Sequence, residues 1–90
     1  MQPRITINLT ADGELEIWMN AVGRDLLVKE LQSLSERNDH FHLGSWEGSE
    51  VLISSRAYRP DDTLIEGGKI LFRTDEWDKK YYPHVISEPN

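Results

Sequence analysis

Two histidines separated by one residue, His40 and His42, are the side chains best suited to chemistry in this chain. They alternate with Phe41 and Leu43, and this period of two is typical of a β-strand, whose successive side chains point to opposite faces. The pattern therefore predicts a half-buried strand that displays both imidazoles on one face and packs the two apolar side chains on the other.

An imidazole pair of this kind has two chemical interpretations. Two neutral imidazoles on one strand face can hold a divalent metal ion if a third ligand joins them, and Asp39 and His84 are the candidates for it. The alternative is a pair that is simply exposed or hydrogen-bonded, with a pH-sensing role as a variant of it. The spacing of His40 and His42 is compatible with both, so a metal site stays an alternative.

Other groups that could catalyse a reaction lack a recognisable motif. Glu14 and Glu16 share a strand face and could form a general acid/base pair, although outward glutamates on a hairpin more often serve solubility. Asp61 and Asp62 follow a proline, which is typical of a turn. There is no phosphate-binding glycine loop, nucleophile elbow or metalloprotease motif. We therefore expect a protein that is not an enzyme and has no cofactor.

The aromatic residues favour a binding role instead. Tryptophan and tyrosine are enriched at the energetic centres of protein interfaces, and here they lie in polar surroundings. Trp46 falls at the tip of a predicted loop, beside Glu47. Trp18 lies among carboxylates on the polar face of its strand, where it is either a lid for a loop or part of a contact surface. The predicted partner-binding residues are Asp39, His40, His42, Trp46, Glu47 and Trp18.

Composition limits the kind of partner. The chain has 90 residues, a formal net charge of −6 and no cysteine. An acidic surface repels phosphate backbones, which argues against nucleic acid, and it attracts a basic protein. The alternative is that the charge only keeps a small protein in solution. Without cysteine there is no disulfide framework and no thiolate metal site.

The elements that position these residues are predicted from periodicity. Alternating apolar residues on both sides of Asp12 and Gly13 predict a hairpin at the start of the chain. A stripe of leucines predicts a helix that begins near Asn20 and ends near Asn38, although Gly23 suggests a start at or just after the glycine. Strands are predicted over 39–43, 50–56 and 64–73, the last with a bend at two adjacent glycines.

These elements predict an α+β fold with a mostly antiparallel sheet of about five strands, in the order ββαβββ, and one helix packed on one face. All strand connections except the helical crossover are expected to be hairpins. We expect a single domain over residues 1–74 and a polar, aromatic tail over 75–90. No apolar run is long enough for a membrane span, and no signal segment precedes the first strand, so we expect a cytoplasmic protein.

One family resembles this chain. The run from Gly23 to Leu27, a helix ending near Ser35, and the run from Asp39 to Leu43 resemble the immunity protein 32 family of bacterial polymorphic toxin systems, over about residues 15–75. The resemblance implies a cytosolic α+β protein that neutralises the toxin domain of a neighbouring gene. It also implies that Asp39, His40 and His42 occupy characteristic positions, where they either bind toxin or maintain the fold.

Three functions follow as hypotheses. The first is a non-enzymatic protein that neutralises a cognate toxin by direct binding. In this hypothesis the toxin domain is the partner with a basic surface. The second is a metal-binding domain that uses His40, His42 and His84 or Asp39. The third is a homodimer or structural module in which the uncovered sheet face pairs with its copy.

Overall fold

The computed structural model describes residues 1–86, which form six strands and two helices. The elements are β1 (Ile5–Leu9), β2 (Leu15–Met19), α1 (Ala21–Gln32), β3 (His40–Gly44), β4 (Val51–Leu52), β5 (Thr63–Ile65), β6 (Gly67–Leu71) and α2 (Asp75–Tyr81), followed by a 3₁₀ turn at Pro83–Val85. The strands form two three-stranded sheets, with the orders β2-β1-β5 and β4-β3-β6. All pairs are antiparallel except β3 and β4, so the predicted α+β, mostly antiparallel class is confirmed.

The predicted strand count and order are wrong in two places. The predicted strand over 64–73 is divided at Glu66, because its first part pairs with β1 in one sheet and its second part with β3 in the other. The predicted strand over 50–56 pairs for only two residues, and it runs parallel to β3 rather than forming a hairpin with it. The chain then leaves β3 for β1: Ile53 N donates to the Gly44 carbonyl, and Ser54 N donates to the Ile5 carbonyl.

The first hairpin forms as predicted. Glu14 and Thr10 close the turn, since the Thr10 N–H donates to the Glu14 carbonyl at 2.8 Å. Gly13 has φ +89°, a left-handed conformation that residues with a Cβ rarely adopt. The Asp-Gly pair therefore marks the turn because the backbone requires a glycine there.

Helix α1 begins at Ala21, and Asn20 caps it as predicted. The Asn20 side chain accepts a hydrogen bond from Gly23 N at 2.8 Å. The expectation that the helix starts at or after Gly23 is wrong, because the glycine serves packing instead. A Cβ at Gly23 would lie 2.6 Å from the Arg4 carbonyl oxygen, so glycine lets β1 approach the first turn of the helix.

The helix also ends earlier than expected, at Gln32 rather than near Asn38. The Asn38 side chain donates to the Ser33 carbonyl at 2.9 Å, which satisfies a carbonyl beyond the last turn.

The core lies on the inner faces of the two sheets, and α1 contributes leucines to it. The fully buried apolar residues are Ile5, Ile7, Phe41, Val51 and Ile53, with Leu26, Leu27 and Leu34 packed against them. The molecule is elongated, with a radius of gyration of 15.6 Å, against about 12 Å for a compact domain of this length. A small core in an elongated chain leaves much apolar surface outside.

The predicted tail contains a second helix. Thr74 caps α2, accepting a hydrogen bond from Trp77 N at 3.1 Å. Acidic residues occupy the first turn of α2 and lysines the last, which suits the helix dipole and was a usable signal in the sequence. Residues 87–90 of the predicted tail lie outside the described residues. Among the residues from 1 to 86, no helix has the length and apolar character that crossing a membrane requires.

Candidate functional site

The outer face of the second sheet brings most of the predicted binding residues together. Strand β3 turns Phe41 inward, where it is 2% exposed, and displays His40 and His42 on the opposite side. In the register of β3 with β6, His40 lies opposite Leu71 and His42 opposite Lys69. We call the surface formed by His40, His42, Lys69, Leu71 and Trp46 the histidine face.

A carboxylate holds each imidazole. Oδ1 of Asp39 lies 2.7 Å from Nδ1 of His40, and Oδ2 of the same carboxylate lies 2.9 Å from the Arg73 guanidinium. Glu50 accepts a hydrogen bond from the His42 backbone N–H at 2.8 Å and lies 3.2 Å from Nδ1 of its ring. Two imidazoles are thereby oriented by groups from three different segments of the chain.

These contacts shift the titration of both carboxylates. The hydrogen bond with His40 lowers the pKa of Asp39 below its ordinary value of 3.8, and the charge of Arg73 lowers it further. The backbone N–H of His42 lowers the pKa of Glu50 below 4.5, and the His42 side chain adds to this. Both carboxylates are therefore ionised in the folded protein at neutral pH.

The metal alternative lacks a third ligand among residues 1–86. The rings of His40 and His42 meet edge to face, with centroids 5.1 Å apart. Of the two candidate third ligands, His84 packs against Tyr82, with ring centroids 6.1 Å apart, and the Asp39 carboxylate contacts His40 Nδ1 and Arg73. No group of three or more histidine, aspartate or glutamate side chains in this part of the chain could hold a metal ion.

Trp46 lies across the end of the histidine face. Its ring packs over two glycines that face each other, Gly44 of β3 and Gly67 of β6. A Cβ would lie 2.6 Å from the ring at Gly44 and 2.7 Å from it at Gly67, so both positions need glycine while the ring lies there. Trp46 remains 48% exposed, and Glu47 beside it is exposed as well.

A groove of about 420 Å³ adjoins the other end of this face. Asp39, Arg73, Trp77 and Tyr81 are among the residues that line it. The Arg73 guanidinium lies over the Trp77 ring, 4.6 Å from its centroid. Arg73 and Lys69 are not among the binding residues predicted from the sequence. A single cation in or after a strand belongs to no motif, so the sequence gives only a weak signal for either residue.

Trp18, the remaining predicted contact residue, lies in the first sheet. Its ring stacks on Tyr58 with centroids 4.3 Å apart, and its Nε1 is buried with no hydrogen-bond partner among residues 1–86. The neighbouring Glu16 carboxylate is bound by Arg59 and by the amide of Asn8. The structure therefore separates Trp18 from the histidine face and gives Glu16 structural partners rather than a free catalytic position.

Comparison of this chain with protein-family models, curated proteins and solved structures gives no match.

Proposed function

We propose that this protein is a small, non-enzymatic, cytoplasmic immunity protein that neutralises a cognate toxin by direct binding, with the histidine face as its contact surface. The observation that carries the proposal is the mixture of groups on that face. Trp46 and Leu71 supply apolar area, 48% and 49% exposed, beside two imidazoles held by carboxylates. Apolar and aromatic groups with a polar surround are the ordinary composition of a protein interface.

The hydrogen bonds within this surface support a binding role. Side chains that are fixed before binding lose less conformational freedom when a partner arrives. His40 and His42 are each held by a carboxylate from a neighbouring position in the fold, Asp39 and Glu50. Their outer edges remain available to a partner, since their side chains are 43% and 46% exposed.

Charge defines the partner. Asp39 and Glu50 lie beside the two imidazoles, and Glu47 follows Trp46 in the chain. The neighbouring cations are Lys69, opposite His42, and Arg73, which is paired with Asp39. The chain as a whole carries a net charge of −6. Such a surface accelerates the approach of a basic protein and repels an acidic one. A toxin domain that acts on nucleic acid presents a basic active-site surface for this purpose, so occlusion of that surface would explain neutralisation.

The first experiment is growth rescue. The C-terminal domain encoded by the neighbouring upstream gene is expressed in bacteria with and without this protein. We expect growth to stop with the domain alone and to be restored by co-expression. A toxic domain that this protein does not rescue would contradict the immunity function.

Charge reversal then maps the surface. Glu47→Lys changes an exposed carboxylate next to Trp46 of the histidine face, and Asp61→Lys changes an exposed carboxylate in the loop of the first sheet. We expect Glu47→Lys to weaken binding about tenfold or more, about 1.4 kcal/mol, mainly through the association rate. Asp61→Lys should have a much smaller effect, and equal effects would place the contact elsewhere.

A further inference from the structure

Strand β2 forms an edge of the first sheet and presents apolar side chains to solvent. Within residues 1–86 it pairs only with β1. Three apolar side chains of this strand are exposed: Leu15 (57%), Ile17 (49%) and Met19 (39%). They lie on the same face of the sheet as Ile5 and Ile7 of β1. Natural proteins usually protect such an edge with lysine, proline or a bulge, because it can pair with another strand. Residues 15–19 contain no lysine, proline or bulge, and the one charged residue among them, Glu16, is bound by Arg59 and Asn8 of its own chain.

The hydrogen bonds of the hairpin show which backbone groups of β2 point outward. Thr10 N donates to the Glu14 carbonyl at one end, and Asn20 N donates to the Arg4 carbonyl at the other. In an antiparallel pair, hydrogen-bonded residue pairs alternate with pairs that are not hydrogen-bonded. The even-numbered residues of β2 therefore bond to β1, and the backbone groups of the three apolar residues, all odd-numbered, face away from it.

This edge is complementary to itself. If two copies of β2 pair antiparallel about Ile17, Ile17 lies opposite Ile17 of the copy and Leu15 lies opposite Met19. These pairs have outward backbone groups in both copies, so they can exchange about six hydrogen bonds. Glu16 lies opposite Trp18 of the copy, and no like charges meet.

Neighbouring registers are less favourable. A shift by one residue aligns outward groups with inward ones, and the hydrogen bonds cannot form. A shift by two residues in one direction places Glu16 directly opposite Glu16 of the copy, and a shift in the other direction leaves fewer paired residues. The register centred on Ile17 therefore satisfies both hydrogen bonding and charge.

Strand β6, an edge of the second sheet, does not favour pairing with a second copy of itself. Phe72 N donates to the Asp39 carbonyl, so the same alternation turns the backbone of Lys69 outward at the middle of β6. A symmetric pairing centred there would place two lysines opposite each other, which is destabilising. Self-pairing is thus favoured at β2 and opposed at β6.

We propose that two copies of this chain associate through antiparallel pairing of β2 with β2, centred on Ile17, to form a continuous six-stranded sheet. The pairing places the exposed apolar residues of β2 beside those of the copy, and the histidine face belongs to the second sheet. This inference is independent of the proposed toxin, because it concerns the other sheet.

Single-cysteine cross-linking tests the register. The chain has no native cysteine, so one introduced cysteine can form a disulfide only between copies. The Cα atoms of a hydrogen-bonded antiparallel pair lie about 5.5 Å apart, within the range of about 4.4–6.8 Å for disulfides. Ile17→Cys should therefore form a covalent dimer on mild oxidation.

Leu15→Cys is the matched control, since it lies on the same strand and face and is similarly exposed. The two Leu15 positions lie about 13 Å apart along the strand in this register. We expect little cross-linking from Leu15→Cys and efficient cross-linking when Met19→Cys is added. Equal cross-linking of the two single variants would overturn the register.

Light scattering of the unmodified chain tests the association itself. As the protein concentration is raised to about 1 mM, we expect the measured mass to reach that of two chains. A mass of one chain throughout that range would overturn the proposal. Ile17→Lys should weaken association at least tenfold (about 1.4 kcal/mol), whereas Leu52→Lys, at a position 51% exposed on β4, should not. A dimer that survives Ile17→Lys would assign the interface to another surface.

Discussion

The outer faces of the two sheets have similar sequence patterns and opposite environments. On β1, Thr6 and Asn8 point away from the core, yet they are 2% and 0% exposed. On β3, His40 and His42 also point away from the core, and their side chains remain 43% and 46% exposed. The difference comes from the 56–62 loop, which places Tyr58 and Arg59 beside the first sheet, whereas no loop of residues 1–86 covers the histidines in this way.

A covered polar face must satisfy its hydrogen bonds internally, whereas an open one can leave them to water or a partner. Asn8 shows the cost of covering: its amide nitrogen donates to Glu16, but its side-chain oxygen is buried with no partner in the described part of the chain. Asp62 shows the compensation, because its side chain is 2% exposed and is paired with Arg59 at 3.1 Å. The first sheet uses its polar residues for structure, and the second keeps its polar residues available.

The largest expected difference concerns the two tryptophans. Trp18→Ala removes a ring that lies on the covered face and stacks on Tyr58. We therefore expect the free energy of unfolding to fall by about 3 kcal/mol. Trp46→Ala removes a half-exposed ring from the open face, and the expected loss is about 1 kcal/mol. Urea denaturation followed by circular dichroism measures both.

Binding should give the opposite order for the same two variants. Trp46→Ala is expected to weaken the proposed toxin complex strongly, while Trp18→Ala, measured well below its melting temperature, should have little effect. If Trp46→Ala proved the more destabilising of the two, the assignment of structural and binding roles to the two faces would be wrong.

The periodicity of the sequence predicts which residues share a face, and this part is confirmed. The alternation around Phe41 places it in the core with both histidines outside. The first hairpin and the Asn20 cap depend on three or four adjacent residues, and both form as predicted. Local rules succeed here because the physical cause is local.

Periodicity does not reveal which face is covered or which strands pair. The polar position of Trp18 predicts either a lid for a loop or part of a contact surface, and its spacing does not reveal that Tyr58, forty residues later, stacks on it. The parallel pairing of β4 and the division of the last strand between two sheets depend on contacts that sequence spacing does not contain. Helix α2 was missed because its aromatic residues do not form an apolar stripe.

The next expected effect concerns pH on the open face. The pKa values of Asp39 and Glu50 are lower in the folded protein than their ordinary values of 3.8 and 4.5. A lowered folded-state pKa stabilises the protein above the unfolded-state value, and this contribution is lost as pH falls through the folded-state value. Stability should therefore decrease on acidification below about pH 4.5, with a contribution from both groups.

Glu50→Gln isolates one of these contributions. The melting temperature of the unmodified chain should fall more steeply between about pH 5 and pH 3 than that of Glu50→Gln, and the two curves should converge at low pH. Glu47→Gln is the control, because it removes an exposed charge beside Trp46 without removing a hydrogen bond in the described part of the chain. Parallel curves for Glu50→Gln and the unmodified chain would show that the contact with His42 does not persist in solution.

The smallest expected effect is that of zinc on the histidine face. A metal ion that binds only the folded state raises its stability in proportion to RT ln(1 + [L]/Kd), so a true site would be evident in the melting temperature. His40 and His42 supply two imidazoles, each with one ring nitrogen beside a carboxylate, and His84 packs against Tyr82 instead. Two ligands fall short of the three protein ligands that even an open zinc site normally has. We therefore expect stoichiometric zinc to leave the melting temperature unchanged, with the double variant His40→Ala, His42→Ala as the comparison. A rise that the double variant abolishes would show that the open face binds metal, and its histidines would then have a role that the protein-binding proposal does not include.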